Sequence, residues 1–272
     1  MTRLTERFAA LKERGEKALI VYVTVGDPSP ERTVEIVLAL DQAGVDVIEL
    51  GIPFSDPLAD GPSIQSASFR ALQKGVNVAC VLEAVRAIRQ RSEIPLLLFT
   101  YYNPVLRYGV ERFARDAAGA GADAGLLVDL TPEEAQEWIT AARARSLDTV
   151  FLLAPTSTDA RIEVVSRLST GFIYCVSRTG VTGAREDVPP DVVEMVQRVR
   201  ARSSLPISVG FGISRPEHVR SVGAYADGVV VGSAMVNLIA QHGDSPGVTE
   251  AARTFAEALK AATRQERSGH PA

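Results

Sequence analysis

The chain has only two cysteines and three histidines in 272 residues, and neither set is arranged for chemistry. Cys80 and Cys175 sit in apolar runs, so they read as small buried hydrophobes and support no disulfide framework. His218, His242 and His270 are far apart and lack the spacing of metal ligands. Charge of one sign never accumulates. Lys and Arg are scattered and the net charge is −4, which gives no electrostatic reason to expect nucleic acid or a membrane surface. No apolar stretch approaches transmembrane length, and the start, Met1-Thr-Arg-Leu-Thr-Glu-Arg-Phe8, has no apolar core of a secretory signal. There is no Gly-x-Ser-x-Gly elbow and no Walker loop. Lys17 and Lys74 lack the strand-end setting of a Schiff-base lysine. A cytoplasmic enzyme without a metal is the expectation.

What is present is regular alternation. Hydrophobic residues make up 46% of the chain, ample for a core. Short apolar runs predict strands at Ala18–Val25, Val45–Leu50, Leu96–Thr100, Gly125–Asp129, Thr149–Leu153, Phe172–Val176, Ile207–Val209 and Gly228–Val231. Amphipathic stretches between them predict helices at Glu31–Ala43, Ile64–Gln73, Val78–Gln90, Val110–Ala118, Pro132–Arg145, Ala160–Leu168, Asp191–Ala201 and Pro216–Val222, with a last one at Val248–Ala262. Eight βα units without a long linker predict an α/β fold, a (β/α)8 TIM barrel forming one domain over residues 1–272. A doubly wound open sheet is the competing topology. Three additions interrupt the repeat: an amphipathic helix at the start with Leu4, Phe8 and Leu11 on one face, a helix after the second strand, and one at Ser233–His242 after the eighth. Residues 263–272 read as a frayed polar tail.

The densest chemistry lies in Ile48-Glu-Leu-Gly-Ile-Pro-Phe-Ser-Asp-Pro-Leu-Ala-Asp-Gly-Pro62. Glu49 ends an apolar strand and alternates with Val45 and Val47, so the three share one face. If that face points into the barrel, Glu49 stands at the top of the interior, at the rim where such barrels do chemistry. A carboxyl forced into apolar surroundings has its pKa raised, while one on a wetter loop stays ionised, and such a pair makes a general acid and base. Glu49 could instead be a buried carboxylate neutralised by a cation, although none lies in the strand or the next loop. Asp60-Gly61-Pro62-Ser63 ahead of a helix also has the look of an N-cap.

Glycine-rich turns follow the last three strands: Ser177-Arg-Thr-Gly-Val-Thr-Gly183, Val209-Gly-Phe-Gly-Ile-Ser214 and Val231-Gly-Ser-Ala-Met235. Glycines let backbone N–H groups approach an anion, and a helix N-terminus favours negative charge, so a phosphate site is expected there. The first of these loops is long enough to act as a lid.

The segment at 48–62 resembles, almost residue for residue, the signature stretch of the tryptophan synthase alpha subunit family, and the later motifs extend the resemblance over nearly the whole chain. It implies a lyase of tryptophan biosynthesis that cleaves indole-3-glycerol phosphate to indole and D-glyceraldehyde 3-phosphate. Glu49 and Asp60 would be its catalytic carboxyls. Gly183, Gly212, Gly232 and Ser233 would hold the phosphate, and Thr182 would hydrogen-bond Asp60. Tyr22, Ile64, Thr100, Phe211 and Val230 would line the indole pocket, with Tyr174 beside the substrate or simply packed. No cofactor is implied, since the family's pyridoxal phosphate belongs to the beta subunit. That subunit is the implied partner in an αββα heterotetramer, docked over Pro53–Asp56, the Tyr102-Asn103-Pro104 loop with Tyr108, and Asp129–Pro132. Thr131-Pro132 departs from the family, which commonly has Pro directly after the Asp-Leu pair. A regulatory barrel that activates a partner enzyme and another phosphate-binding barrel lyase are the alternatives.

Overall fold

The computed structural model describes residues 2–176, 190–210 and 212–264. In chain order the first elements are α1 (Arg3–Arg14), β1 (Ala18–Thr24), α2 (Pro30–Gln42), β2 (Val47–Gly51), α3 (Pro62–Gln73) and α4 (Val78–Arg89). The middle of the chain gives β3 (Leu96–Thr100), α5 (Tyr102–Tyr108), α6 (Val110–Ala120), β4 (Ala124–Leu127), α7 (Gln136–Arg143), β5 (Asp148–Thr149), β6 (Phe151–Leu153) and α8 (Asp159–Leu168). It closes with β7 (Ile173–Val176), α9 (Pro190–Arg200), β8 (Ile207–Gly210), α10 (Pro216–Gly223), β9 (Gly228–Val231), α11 (Ser233–His242) and α12 (Val248–Ala261).

All strand pairs are parallel, in the order β5-β4-β3-β2-β1-β9-β8-β7-β6. Only Val150 separates β5 from β6, so these are two halves of one barrel strand and the sheet closes on itself. The fold is a (β/α)8 barrel, and β1 is buried along its whole length because helices cover one face and the interior fills the other. The larger apolar cluster lies between strands and helices. A second fills the barrel: Ile20, Val47, Leu97, Leu126 and Val230 come from the strands, and Phe172 from just before β7. Leu4, Phe8 and Leu11 of α1 enter that cluster from below, with the Phe8 and Phe172 rings 5.6 Å apart. The amphipathic start therefore plugs the bottom of the barrel. Thr2 caps it in a reciprocal capping box with Thr5, and Gly15 at φ 67 ends it.

The bottom rim carries a repeated stitch. Backbone N–H groups at the starts of alternate strands donate to a side chain just before the next strand. Leu19 donates to Asp46 at 2.8 Å, Leu96 to Asp123 at 2.8 Å, Thr149 to Thr170 at 2.9 Å and Ile207 to Asp227 at 2.9 Å. Three of these acceptors are carboxylates with cationic partners: Lys260 on Asp46, Arg89 on Asp123 and Arg200 on Asp227.

Three expectations need correction. Tyr102-Asn103-Pro104 opens the helix α5, because proline in a first turn forfeits no helical hydrogen bond. Gly109, at φ 94, then divides α5 from α6. The helix expected from Pro132 starts at Gln136, after a turn. The tail does not begin at 263, since Thr263 is 2% exposed and accepts from Lys17 N–H, and Arg264 bridges to Glu16.

Candidate active site

The carboxyl of Glu49 projects into the upper barrel from the middle of β2, level with Tyr22 of β1 and Leu97 of β3. It is 1% exposed, and its Oε1 has no hydrogen-bond partner among the described residues. No cation is among the influences on it. Burial alone pushes its pKa from 4.5 to about 8. Among the described residues the neutralised-carboxylate alternative therefore lacks a neutraliser, and burial favours the protonated acid.

Asp60 reaches the same space from the loop after β2. Gly61, not Asp60, is the N-cap of α3, and the cap makes no side-chain hydrogen bond, so the capping alternative also fails. The Asp60 backbone is fixed locally: its N–H donates to Pro57 C=O at 3.0 Å, and its carbonyl accepts from the Gln65 amide at 2.9 Å. Burial lifts its carboxyl to about 6, opposed by the facing Tyr101 hydroxyl. Two carboxyls of unequal environment thus share one mouth.

Tyrosines surround them. The Tyr22 and Tyr174 hydroxyls feel both carboxylates, and burial first, then these charges, raise both phenols far above their usual range. Glycines make room for these rings. A Cβ on Gly51 would fall 2.1 Å from the Tyr22 hydroxyl, and one on Gly210 would fall 2.7 Å from that of Tyr174. Tyr22 meets Phe99 edge to face at 5.2 Å, and both pack with Ile64, Ala67 and Val236. Val230 continues this wall inside the barrel.

Thr100 is not part of that wall. Side chains alternate along a strand, and Leu97 and Phe99 pack with the barrel interior while Leu96 and Leu98 pack toward the helices, as Thr100 must. Phe99 is the residue that lines the mouth. Tyr101, at the end of the same strand, was equally missed, and its signal was available: an aromatic hydroxyl at a strand end on the catalytic rim.

Two of the expected phosphate positions stand together at the start of α11. Gly232 is the N-cap of α11 and Ser233 its first residue, with no side chain capping the free amides. A Cβ on Gly232 would lie 3.8 Å from both Ile64 and Tyr22, so this helix start opens directly beside the aromatic wall. Gly212 is exposed at φ 37. Thr182, Gly183 and Phe211 lie outside the described residues.

The sequence profile of the tryptophan synthase alpha chain family matches residues 8–264. The chain belongs to this family. The tryptophan synthase alpha chain of Solibacter usitatus is 54% identical over 96% of this chain and 97% of its own length, and that of Geobacter sp. strain M21 is 51% identical over 96% and 97%. Among solved structures, Mycobacterium tuberculosis tryptophan synthase superposes with a TM-score of 0.90 at 40% identity, covering 97% of this chain and 99% of that one. The alpha subunit from Legionella pneumophila gives 0.89 at 37% identity, covering 97% and 98%.

Proposed function

We infer that this tryptophan synthase alpha chain family member carries out the alpha reaction, the retro-aldol cleavage of indole-3-glycerol phosphate to indole and D-glyceraldehyde 3-phosphate. The observation that carries the reading is the pair Glu49 and Asp60, pushed to about 8 and about 6 in one mouth. At neutral pH the first holds a proton and the second lacks one. Glu49 protonates indole C3, giving an indolenine. It then accepts the glyceryl hydroxyl proton as that oxygen becomes the aldehyde, and the bonding pair of the breaking carbon–carbon bond returns to the ring. Asp60 faces the ring nitrogen and stabilises its positive charge. The protonated ring is its own electron sink, so the chemistry asks for no cofactor.

Tyr22, Phe99, Ile64 and Val230 offer the flat apolar wall an indole needs. The start of α11 and Gly212 offer backbone N–H groups to the phosphate. Anchoring there supplies binding energy remote from the reacting bond and orients it.

Indole is small and apolar, and a neighbour that consumes it directly would prevent its escape. The beta subunit is that neighbour, in an αββα assembly. The catalytic rim carries solvent-facing apolar side chains suited to such a contact: Leu58 is 92% exposed and Leu106 of α5 54%. A cleft of about 250 Å3 lined by Asp129, Thr131, Pro132 and Leu153 adjoins that rim.

The test is a coupled assay for glyceraldehyde 3-phosphate with the purified chain, alone and with a cognate beta chain. Turnover that accelerates on titration with the beta chain is expected. No product under either condition would overturn the reading.

A further inference from the structure

Tyr101 follows β3 directly, in extended backbone at φ −95 and ψ 160, and its side chain turns back over the loop that bears Asp60. The ring is 5% exposed and packs on Phe54 with centroids 5.1 Å apart. Its hydroxyl oxygen accepts the Ala59 N–H at 2.9 Å. A phenol has a single proton, and with that lone pair engaged the proton is free to donate. The Asp60 carboxyl, on the residue directly after Ala59, lies close enough for its charge to act on that phenol. One side chain thus holds the loop at two points, the ring at Phe54 and the backbone at Ala59, with its hydroxyl beside the Asp60 carboxyl.

We propose that Tyr101 is the positioning residue of this site, its hydroxyl fixing the loop backbone at Ala59 and aiming the Asp60 carboxylate at the substrate. The inference rests on the reading of Asp60 as the ionised catalytic carboxylate. Asp60 is otherwise faced by Tyr22 of β1 and Tyr174 of β7, and no Lys, Arg or His among the described residues offsets its burial. Among the described residues the Tyr101 hydroxyl is therefore the one group opposing protonation of Asp60. Removing it should let the carboxyl titrate higher, narrowing the active range from its acid side.

The experiment is Tyr101→Phe, which keeps the ring against Phe54 and deletes the hydroxyl. The acid limb of kcat/KM should move up by about one pH unit while the alkaline limb, set by Glu49, stays in place. That displacement reads as a loss of about fivefold at pH 6 and about tenfold at pH 5. A residue that only packs would lower the rate equally at every pH. Asp60→Asn separates the two layers of the argument. If it is inactive and Tyr101→Phe leaves the acid limb unmoved, the proposal is overturned and the assignment of Asp60 survives. If Asp60→Asn stays active, both fall. In the unmutated protein, the Tyr101 Cζ carbon resonance should step with the midpoint of Asp60 and lose that step in Asp60→Asn. A flat Tyr101 resonance would also overturn the proposal.

Discussion

Replacing Glu49 with glutamine should inactivate the enzyme and at the same time stabilise it, by an amount that grows with pH. The wild-type carboxyl titrates at 4.5 when solvated and at about 8 when folded. Between those values the native state binds more protons than the unfolded state, so stability declines as pH rises through this window. The decline begins near pH 4.5 and is complete once the folded carboxyl has ionised above pH 8. At about 1.4 kcal/mol per pH unit, it reaches about 3 kcal/mol at pH 7 and about 5 kcal/mol well above pH 8. Glutamine is isosteric with the protonated acid and carries no such penalty. Denaturant melts of the two proteins at pH 5, 6, 7 and 8 should therefore diverge in favour of the variant, from under about 1 kcal/mol at pH 5 to about 3 kcal/mol at pH 7. In turnover the variant should lose ~10²–10⁴-fold, the usual toll of removing a general acid. A stability difference independent of pH would refute the idea that burial holds the proton on Glu49. Undiminished turnover would remove Glu49 from the chemistry.

Asp60→Asn should also lose ~10²–10⁴-fold in rate with no fall in melting temperature, because Gly61 makes the helix cap and the amide carries no buried charge. The wild-type kcat/KM profile should be a bell, falling below about pH 6 as Asp60 gains a proton and above about pH 8 as Glu49 loses one. Ser233→Asp places a carboxylate in the first turn of α11, which favours the helix but repels a phosphate, so KM for the substrate should climb without loss of thermal stability. An unchanged KM would remove α11 from the phosphate site. Leu58→Asp should weaken association with a beta chain in light-scattering titrations while leaving the fold intact, since the side chain is almost wholly solvent-facing.

Much of this architecture was legible in the chain because parallel strands buried on both faces write themselves as short apolar runs, and amphipathic helices separate them. Glu49 was legible for the same reason: a carboxyl inside such a run has few ordinary explanations, and it stands mid-strand rather than at the strand end expected. Periodicity was blind to direction at the end of β3. Leu96-Leu-Leu-Phe-Thr100 is apolar on both faces, so nothing in it says whether Phe99 or Thr100 looks inward, and register against β2 decides for Phe99. The helix α5 was hidden by Pro104, a residue that reads as a breaker unless the helix start is known. The grip of Tyr101 joins residues 42 positions apart, and no local pattern encodes it.

The stitches along the bottom rim bear on how such a molecule could be divided. Each ties one strand to the loop entering its successor, and none spans the joins from β2 to β3, β4 to β5 or β7 to β8. The hem is thus sewn in four separate lengths, each holding two barrel strands at a fixed stagger. Cuts at the three joins would leave every seam whole, whereas cuts within a length would open one. A chain split between β4 and β5 would yield two pieces that each keep two seams, and the edges they must rejoin would already be aligned.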